Sequence, residues 1–317
     1  MSGDNMGDQS LVSVCVPAYR AEAFLGATIE SVLAQTYRNW ELIILDNNSP
    51  DRTGAIARSY DDPRIRVVTN EETLELAHNW NAVSAMATGE YLKVLCADDL
   101  LHPECLAEQV AVLDQQDEVS VVASRRHFIG GDGDVVLRDR GLPGLLGARS
   151  SQAVVRRVIA SGVNPIGWPA AMLFRRSSFV AVGGFDPRWL YPIDLELVIR
   201  MLRTGSFYGT TRSLASFRIS PTSASATMRR HGSQHREMMR VVAADPHWSV
   251  GRLTLLRGLV LSHLEAAKKF LLFNAVNSRW SPMRRLPALF LQPLRQSVSE
   301  ESRVGALEGR QQVWTAE

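Results

Sequence analysis

Three features that define other protein classes are absent from this chain. It has only three cysteines among 317 residues, with no CxxC pair and no histidine cluster of zinc-finger spacing near any of them, which argues against a disulfide framework or a zinc module. It has no run of about 18 uninterrupted apolar residues, so we expect no membrane-spanning helix. The first ten residues lack the basic-then-apolar order of a secretory signal. These absences predict a cytoplasmic protein with reduced, structural thiols.

A global excess of charge of one sign is also missing. The chain has 35 basic and 33 acidic residues, a formal net charge of +2. Residues 251–296 hold eight of the basic residues and a single glutamate, so the excess positive charge lies at one end. A nucleic-acid-binding protein is normally basic across its folded domain, and we therefore expect no nucleic-acid partner.

The first hundred residues do contain a regular alternation of two periods. Short β-branched apolar runs predict strands, and segments with apolar residues at helical spacing lie between them. This order is typical of a parallel sheet covered by helices, in which ligands bind beyond the carboxyl ends of the strands. The predicted strands are 11–16, 41–45, 65–69 and 91–95, and the predicted helices are 22–36, 53–60 and 74–87.

Polar residues follow three of these strands at the point where each strand ends. Residues 17–20 (PAYR) follow the first strand, Asp46 follows the second, and Asp98 with Asp99 follow the fourth. The carboxyl ends of parallel strands meet at one edge of a sheet. We therefore expect these side chains to form one site.

The second half of the chain is less regular. It combines short apolar runs with helical patterns, and it contains no internal repeat or low-complexity tract. The predicted strands are 119–123, 125–128 and 170–174, and the predicted helices are 151–162, 177–182, 194–204 and 250–276.

Four segments place polar residues beside apolar runs in a distinctive order. They read VSVCVPAYR, ELIILDNNSPDRT, NWNAVSAMATGEYLKVLCADDLLHP, and FRRSSFVAVGGFDP followed by YPIDLELVIRMLRTG. Together, over about residues 10–225, they resemble family 2 of the inverting glycosyltransferases. The resemblance implies an α/β protein of the GT-A fold, with a Rossmann-like, mostly parallel sheet flanked by helices and, here, a C-terminal helical extension.

The chain departs from the family's pattern at three positions. Arg20 stands where the family usually has Asn, and Cys96 stands where the first acid of its Asp-x-Asp motif is expected. Arg218 resembles the arginine of an Arg-x-His segment near the diphosphate, but Ser220 replaces the histidine.

The resemblance also implies a domain organisation. The predicted boundaries are a disordered tail at 1–10, a GT-A domain at 11–235 divided into a nucleotide-binding half at 11–100 and an acceptor-side half at 101–235, a basic helical extension at 236–297 and a mobile tail at 298–317.

A divalent metal, Mn²⁺ or Mg²⁺, is the implied cofactor. It would offset the negative charge that develops on a departing diphosphate, and it prefers hard oxygen ligands. Asp98 is the first candidate ligand and Asp99 the second. The alternative is that both acids only make a turn or cap the following helix.

The implied donor is a nucleotide sugar, with a UDP- or dTDP-sugar favoured and a GDP-sugar as an alternative. A carboxylate at Asp46 accepts from the imide N–H of uracil or thymine, but it also suits guanine. The alternatives are that Asp46 only opens a turn and that Asn81 is an ordinary polar helix residue. The predicted nucleotide-binding residues are Pro17, Ala18, Tyr19, Asp46, Asn81 and Asp98.

Asp194 is the predicted general base, because an inverting transfer needs one carboxylate to take the proton of the acceptor hydroxyl. It also fits the start of a helix, so a capping role is the alternative. Trp168 and Gly184 are predicted to contact the acceptor together with Asp194, although a packed aromatic ring and a simple turn would explain them too.

The predicted function is transfer of a sugar, with inversion, to a hydroxyl of a saccharide or lipid-linked acceptor. A non-catalytic nucleotide- or glycan-binding protein on the same scaffold is the alternative, which Cys96 favours and the retained acids oppose. A nucleotidyltransferase would carry a Gly-rich loop after the first strand, which VPAYRAEAF lacks.

The basic segment at 279–295 has two interpretations. Arginines interleaved with Trp, Leu and Phe suit a membrane surface, which would bring the protein to the inner face of the cytoplasmic membrane. Alternatively, the segment packs on the catalytic domain with a solvated basic face.

Overall fold

The computed structural model describes residues 9–219 and 231–280. Within this part the chain forms one ten-stranded sheet with helices on both faces. The strands are β1 Val12–Ala18, β2 Trp40–Asp46, β3 Ile65–Thr69, β4 Tyr91–Val94, β5 Leu100–Leu101, β6 Val119–Ile129, β7 Val135–Arg140, β8 Gly147–Arg149, β9 Met172–Arg175 and β10 Ser206–Arg218. The helices are α1 Leu25–Leu33, α2 Thr53–Arg58, α3 Leu76–Ala85, α4 Cys105–Gln115, α5 Ser151–Ser161, α6 Arg176–Ala181, α7 Ile193–Met201, α8 His231–Ala244 and α9 Arg252–Trp280.

The strand order is β3-β2-β1-β4-β9-β6-β10-β5, with β7 beside β6 and β8 beside β10. The first four strands are all parallel, as predicted. Every residue of β1 and β4 is buried, which is why these strands appear in the sequence as apolar runs rather than alternating patterns. Their carboxyl ends lie along one edge of the sheet.

The second half of the sheet is mixed. Strand β9 is antiparallel to both β4 and β6, whereas β6 and β10 are parallel to each other. Strand β5 lies at the far edge, paired with the end of β10. The chain therefore passes within a few residues from β4, in the middle of the sheet, to β5 at its edge, where β5 pairs with β10.

Two hydrophobic clusters hold the helices against the two faces of the sheet. Successive residues of β1 supply both clusters, with Cys15 on one face and Val14 and Val16 on the other. This division follows from the two-residue period of a strand. Cys15 and Cys105 are fully buried free thiols, in keeping with their predicted structural role.

Two strands of the second half differ from the prediction. The predicted strands 119–123 and 125–128 are one continuous strand, β6, and β10 was not predicted at all. Strand β10 is polar and half-buried, and its pairing with β6 shifts register three times between Ser206 and Ala215. Such a strand lacks both a continuous apolar run and a regular alternation.

The chain divides into two compact units, Met1–Ala266 and Ala267–Glu317. The predicted boundary at 235/236 falls inside α8, whose Met238 and Met239 are buried in a core cluster. The first unit therefore extends further than the predicted GT-A domain. Within the second unit, the described residues 267–280 continue α9 as a helix.

Several predicted segments lie outside the described residues, namely most of the tail at 1–10, residues 281–297 of the basic extension, and the tail at 298–317. Among the helices that the structure does describe, none combines the length and the apolar character needed to cross a bilayer.

Candidate functional site

The carboxyl ends of β1 and β2 place the predicted nucleotide-binding residues side by side. Ala18 pairs with Asp46 in the β1–β2 register, and Pro17 is the residue before it. The Asp46 side chain is only 4% exposed, and its Oδ1 accepts a hydrogen bond from the Ser49 amide at 3.1 Å. A Cβ at Gly54 would lie 2.5 Å from Asp46 Oδ2. Asp46 Oδ2 therefore fits beside residue 54 because that residue is a glycine.

Tyr19 and Arg20 continue the chain beyond β1. Tyr19 is half-buried, and the Arg20 guanidinium lies 5.5 Å from the centre of its ring. Arg20 has a φ of 49°, in the left-handed region that Asn adopts more readily than most residues. The backbone thus keeps a conformation suited to the Asn that is usual here.

The turn after β4 gathers three side chains able to bind a cation. One ligand atom from each of Cys96, Asp98 and Asp99 lies within 4.8 Å of the others. Asp99 is fully buried; its Oδ1 accepts from the Arg218 amide at 3.1 Å, and its Oδ2 has no hydrogen-bond partner among the described residues. Burial raises the pKa of both Asp98 and Asp99. The turn therefore holds poorly compensated carboxylates.

Arg218 fastens this turn from the end of β10. Its Nε donates to the carbonyl of Asp98 at 2.9 Å, and its Nη1 donates to the carbonyls of Gly130 and Gly131. The guanidinium also lies 4.5 Å from the centre of the Phe24 ring. Through these contacts Arg218 positions the acidic turn.

Asp194 lies in the first turn of α7 and is 7% exposed. Its Oδ1 accepts from the Leu195 amide at 2.8 Å, and the Asn164 side-chain nitrogen is 3.5 Å from its Oδ2. Burial raises the pKa of Asp194 to about 7. This carboxyl group is therefore close to half ionised at neutral pH, which suits a general base.

The neighbouring acid, Glu196, is committed to a different contact. It forms two hydrogen bonds with Arg200, at 2.7 and 2.8 Å. Arg200 in turn donates to the carbonyls of Val182 and Gly184. Glu196 therefore supports the loop between α6 and α7 and leaves Asp194 as the less engaged acid.

Asn81 reaches this same loop instead of pointing its amide at a nucleotide. Its amide oxygen accepts from the Phe185 N–H and its amide nitrogen donates to the Phe185 carbonyl, both at 2.8 Å. Gly184 has a φ of +72°, and a Cβ there would lie 2.5 Å from the Asn81 amide oxygen. The two residues fit each other, so Asn81 in the nucleotide-binding half holds the loop predicted to meet the acceptor.

Trp168 is held between two other side chains. It stacks on Phe217, with ring centres 4.2 Å apart and an angle of 19°, and the Arg126 guanidinium lies 4.4 Å from its ring centre. A guanidinium and a phenyl ring this close must lie on opposite faces. Trp168 would therefore meet an acceptor with its edge.

Arg126 itself was not predicted. It is buried in β6, and its Nη1 donates to the carbonyl of Ile166 at 3.1 Å. Burial lowers its pKa to about 10, while the charges of Asp194 and Asp99 oppose that change. The sequence does contain one signal for Arg126, which is an arginine inside an otherwise buried strand. Such a residue needs partners of opposite charge.

The electrostatics bring the acidic turn and Asp194 into one site. Beyond burial, the charges of Asp98, Asp99 and Asp194 all raise the pKa of the Cys96 thiol. The residues fit a divalent cation, since two carboxylates with raised pKa values and one unpartnered buried oxygen are offered at one turn. Cys96 is the softer donor, and Mn²⁺ or Mg²⁺ prefers oxygen.

A mixed α/β sheet with an acidic turn beyond its parallel strands is the architecture of GT-A glycosyltransferases, and the comparisons confirm it. The model of "Glycosyl transferase family 2" matches residues 13–183. Because the match covers more than half of the chain, the chain belongs to this family.

Curated relatives share the first part of the chain. The "Putative glycosyltransferase EpsE" of Bacillus subtilis is 39% identical over 116 residues, or 36% of this chain. The Escherichia coli enzyme "UDP-Glc:alpha-D-GlcNAc-diphosphoundecaprenol beta-1,3-glucosyltransferase WfgD" is 37% identical over 106 residues, or 33% of this chain. Each match spans 42% of the relative's own length.

Solved structures share the fold at low sequence identity. Staphylococcus aureus TarS 1-349 in complex with UDP-GlcNAc has a TM-score of 0.59 at 16% identity, over 74% of this chain and 66% of that one. The mannosyltransferase PcManGT from Pyrobaculum calidifontis, in complex with GDP-Man and Mn²⁺, has a TM-score of 0.55 at 16% identity, over 94% and 85% of the two chains.

Proposed function

We propose that this protein transfers a sugar from a nucleoside-diphosphate donor to a hydroxyl of a saccharide or lipid-linked acceptor, with inversion at the anomeric carbon. The observation that carries the proposal is the Cys96–Asp98–Asp99 cluster after β4, with the buried Asp194 near enough that its charge contributes to the raised pKa of Cys96. The donor diphosphate needs the acidic turn to hold a cation, and the acceptor hydroxyl needs Asp194 to take its proton.

The donor nucleotide would bind along the carboxyl ends of β1, β2 and β4. Asp46 would accept from the base, while Pro17, Ala18 and Tyr19 would form the wall beside it. A UDP- or dTDP-sugar is favoured, because a carboxylate oxygen suits the single imide N–H of a pyrimidine. TarS structures contain UDP or UDP-GlcNAc, and the PcManGT structure contains GDP-Man.

Asp98 and Asp99 would hold Mn²⁺ or Mg²⁺. When bound, the cation supplies positive charge that stabilises the departing diphosphate. Arg218 and Thr28 set the shape of this turn from the protein side, since Thr28 Oγ1 lies 3.0 Å from the carbonyl oxygens of both Ala97 and Asp99.

Asp194 would act as general base. As the acceptor oxygen forms a bond to the anomeric carbon, the bond from that carbon to the diphosphate oxygen breaks, and the acceptor proton passes to Asp194. Asn164 and the Leu195 amide orient the carboxylate. Gly184 would let the acceptor approach the backbone, and Trp168 would limit how far the acceptor can move sideways in the site.

A non-catalytic nucleotide- or glycan-binding protein is the second candidate. Cys96 is the observation that favours it, because the thiol replaces the first acid of the metal motif. The two candidates share a donor cleft and differ in what Asp194 does.

Thermal stabilisation by UDP, dTDP, GDP and CMP, each with and without Mn²⁺, tests the donor site. A ligand at about a hundred times its Kd adds roughly 2.7 kcal/mol to the free energy of unfolding, so one nucleotide should give a metal-dependent rise in Tm. Asp99→Asn should abolish the metal-dependent part, and Asp46→Asn should weaken the nucleotide-dependent part. No shift with any nucleotide, from a folded sample, would refute the donor site.

Hydrolysis of the sugar nucleotide that stabilises the protein then separates the two candidates. Turnover that disappears in Asp194→Asn, while nucleotide binding persists, supports the transferase. Binding without any turnover, with water or with an acceptor panel, supports the binding protein.

A further inference from the structure

Helix α9 exposes a stripe of aliphatic side chains, which we call the α9 stripe. It consists of Leu253, Leu256, Val260 and Leu264, whose exposed fractions are 83%, 58%, 50% and 59%. At about 100° per residue these four side chains span an arc of about 80°. All four lie within the first compact unit. A contiguous apolar surface of this kind marks an interaction site.

The opposite face of the same helix is fixed to the protein. A Cβ at Gly258 would overlap the carbonyl of Ile159 in α5, and a Cβ at Gly162 would overlap the carbonyl of Gly258. Ser262, one turn on, is buried as well. This backbone-to-backbone packing fixes how α9 is rotated, so the stripe faces solvent and cannot turn inward.

Basic residues flank the stripe on both sides. On the helical wheel Arg257 lies next to one edge of the arc and Arg252 next to the other. Both are exposed, and neither forms an ion pair with another described residue. Over the whole of α9 the sequence has five lysines and arginines against one glutamate, Glu265. A partner of negative charge would match this surface.

The chemistry of the stripe favours a lipid surface over a protein partner. Protein interfaces are usually centred on Trp, Tyr or Arg anchors that fill pockets, whereas the stripe is a convex ridge of Leu and Val. A second copy of this helix would bring like charges together. A ridge of aliphatic side chains between arginines is the pattern of a helix that lies in the interface of an anionic membrane.

We propose that the α9 stripe docks this protein on an anionic lipid surface, with Leu253, Leu256, Val260 and Leu264 in the acyl boundary and Arg252 and Arg257 at the headgroups. The inference goes beyond the proposed transferase activity and does not depend on it. It also does not use residues 281–295. A docked enzyme would meet an acceptor carried by a lipid without leaving the surface.

Flotation of the full chain with vesicles tests the proposal. Vesicles made of phosphatidylcholine with about 40% phosphatidylglycerol should bind the protein, and this binding should weaken as the salt concentration is raised. Replacing the four stripe residues by Gln should lower partitioning on the order of a hundredfold. Arg252→Gln with Arg257→Gln should lower it by roughly thirtyfold, from about 1 kcal/mol per basic residue.

A matched control replaces apolar side chains of similar exposure elsewhere. Val136 and Val180 are 59% and 62% exposed on β7 and α6, and their double replacement by Gln should leave partitioning unchanged. Unchanged Tm in every variant shows that the fold is intact. As a second measurement, Leu256→Trp should be quenched by brominated lipid, whereas Val180→Trp should add no quenching.

Three results would overturn the proposal. The first is no binding of the wild-type chain to the anionic vesicles. The second is wild-type-like binding by the stripe variant, which would assign membrane contact to other residues. The third is a lipid-free dimer that the stripe substitutions dissociate, because the stripe would then be an interface between copies. Each result leaves the nucleotide-binding test of the proposed function unaffected.

Discussion

The two halves of the sheet build their parts of the site in different ways. In the parallel half, from β3 to β4, each site residue lies at the end of a strand or just after it, and Asp46 is the last residue of β2. In the mixed half, Asp194 comes from a helix, Trp168 from a loop and Arg126 from a strand interior. These residues are held by contacts between distant segments, such as the hydrogen bond from Arg126 to the carbonyl of Ile166, which lies 40 residues further along the chain.

This difference predicts how each half responds to substitution. A change in the parallel half should alter ligand binding while the fold persists, because the backbone of the buried strands sets the geometry there. A change in the mixed half should alter stability and catalysis together, because side chains hold the geometry. The following substitutions test that contrast.

The largest expected effect is on catalysis. Asp194→Asn keeps the shape of the side chain but removes the base, and we expect turnover to fall by about 10²- to 10⁴-fold. Nucleotide-dependent stabilisation should remain. Donor hydrolysis measured beside thermal shifts would show both, and equal turnover in the two proteins would exclude Asp194 as the base.

The raised pKa of Asp194 also gives this variant a pH signature. Wild-type turnover should rise as pH passes through about 7, because the base must be ionised. Since the folded state favours the neutral acid, its contribution to stability is present below the unfolded pKa and is lost as pH rises through about 7. The free energy of unfolding without ligands should therefore fall less from pH 5 to 8 in Asp194→Asn than in wild type.

Arg126→Gln should cost stability of about 3 kcal/mol, since it removes a buried charge that faces Asp99 and Asp194. Loss of that charge raises the pKa of Asp194, so the acid limb of the pH–rate profile should move to higher pH. Arg126→Lys keeps the charge and loses the flat contact with Trp168, and its acid limb should stay in place. An unmoved limb in both variants would contradict the link between Arg126 and Asp194.

A pair of glycine substitutions compares the halves directly. Gly184→Ala places a side chain at a φ of +72° and against Asn81, and should destabilise the fold by about 1–3 kcal/mol. Gly54→Ala places a Cβ against Asp46 Oδ2 in a helix, and should weaken nucleotide binding with little change in Tm. Urea unfolding and nucleotide titration would measure both, and the reverse pattern would refute the contrast.

The smallest effect is expected at Cys96. Mn²⁺ prefers the oxygens of Asp98 and Asp99. Cys96→Ser should therefore change the Kd for Mn²⁺ by less than about twofold, which is close to the error of such a measurement. Electron paramagnetic resonance of free Mn²⁺ is a direct measurement. A tenfold weaker site would show that the thiol is a ligand.

The parallel half of the fold was predictable because burial on both faces leaves a clear record in the sequence. The predicted strand 65–69 coincides with β3, Ile65–Thr69. Asp46 and Asp98 could be named as site residues from their positions at strand ends, whereas Asp194 was named through the resemblance to family 2. The family match and the shared fold confirm the GT-A class, while the roles of these residues stay predictions.

The mixed half was less predictable because its geometry comes from pairings that are remote in sequence. Strand β10 is defined by its pairing with β6, which shifts register three times, and not by an apolar pattern of its own. Asn81 resembles a nucleotide-binding residue, but its partner is a peptide group that only the folded chain brings near.

The position of Arg218 along the chain affects the order in which the protein folds while it is being translated. The amide that holds Asp99 follows it by 119 residues, and at about 5–20 residues per second a ribosome needs roughly 6–24 s to supply it. Through that interval the four parallel strands are already translated, while the acidic turn is held by Thr28 but not yet by Arg218. The carboxyl ends of β1 and β2 can thus come together during translation before Arg218 fixes the Asp98–Asp99 turn.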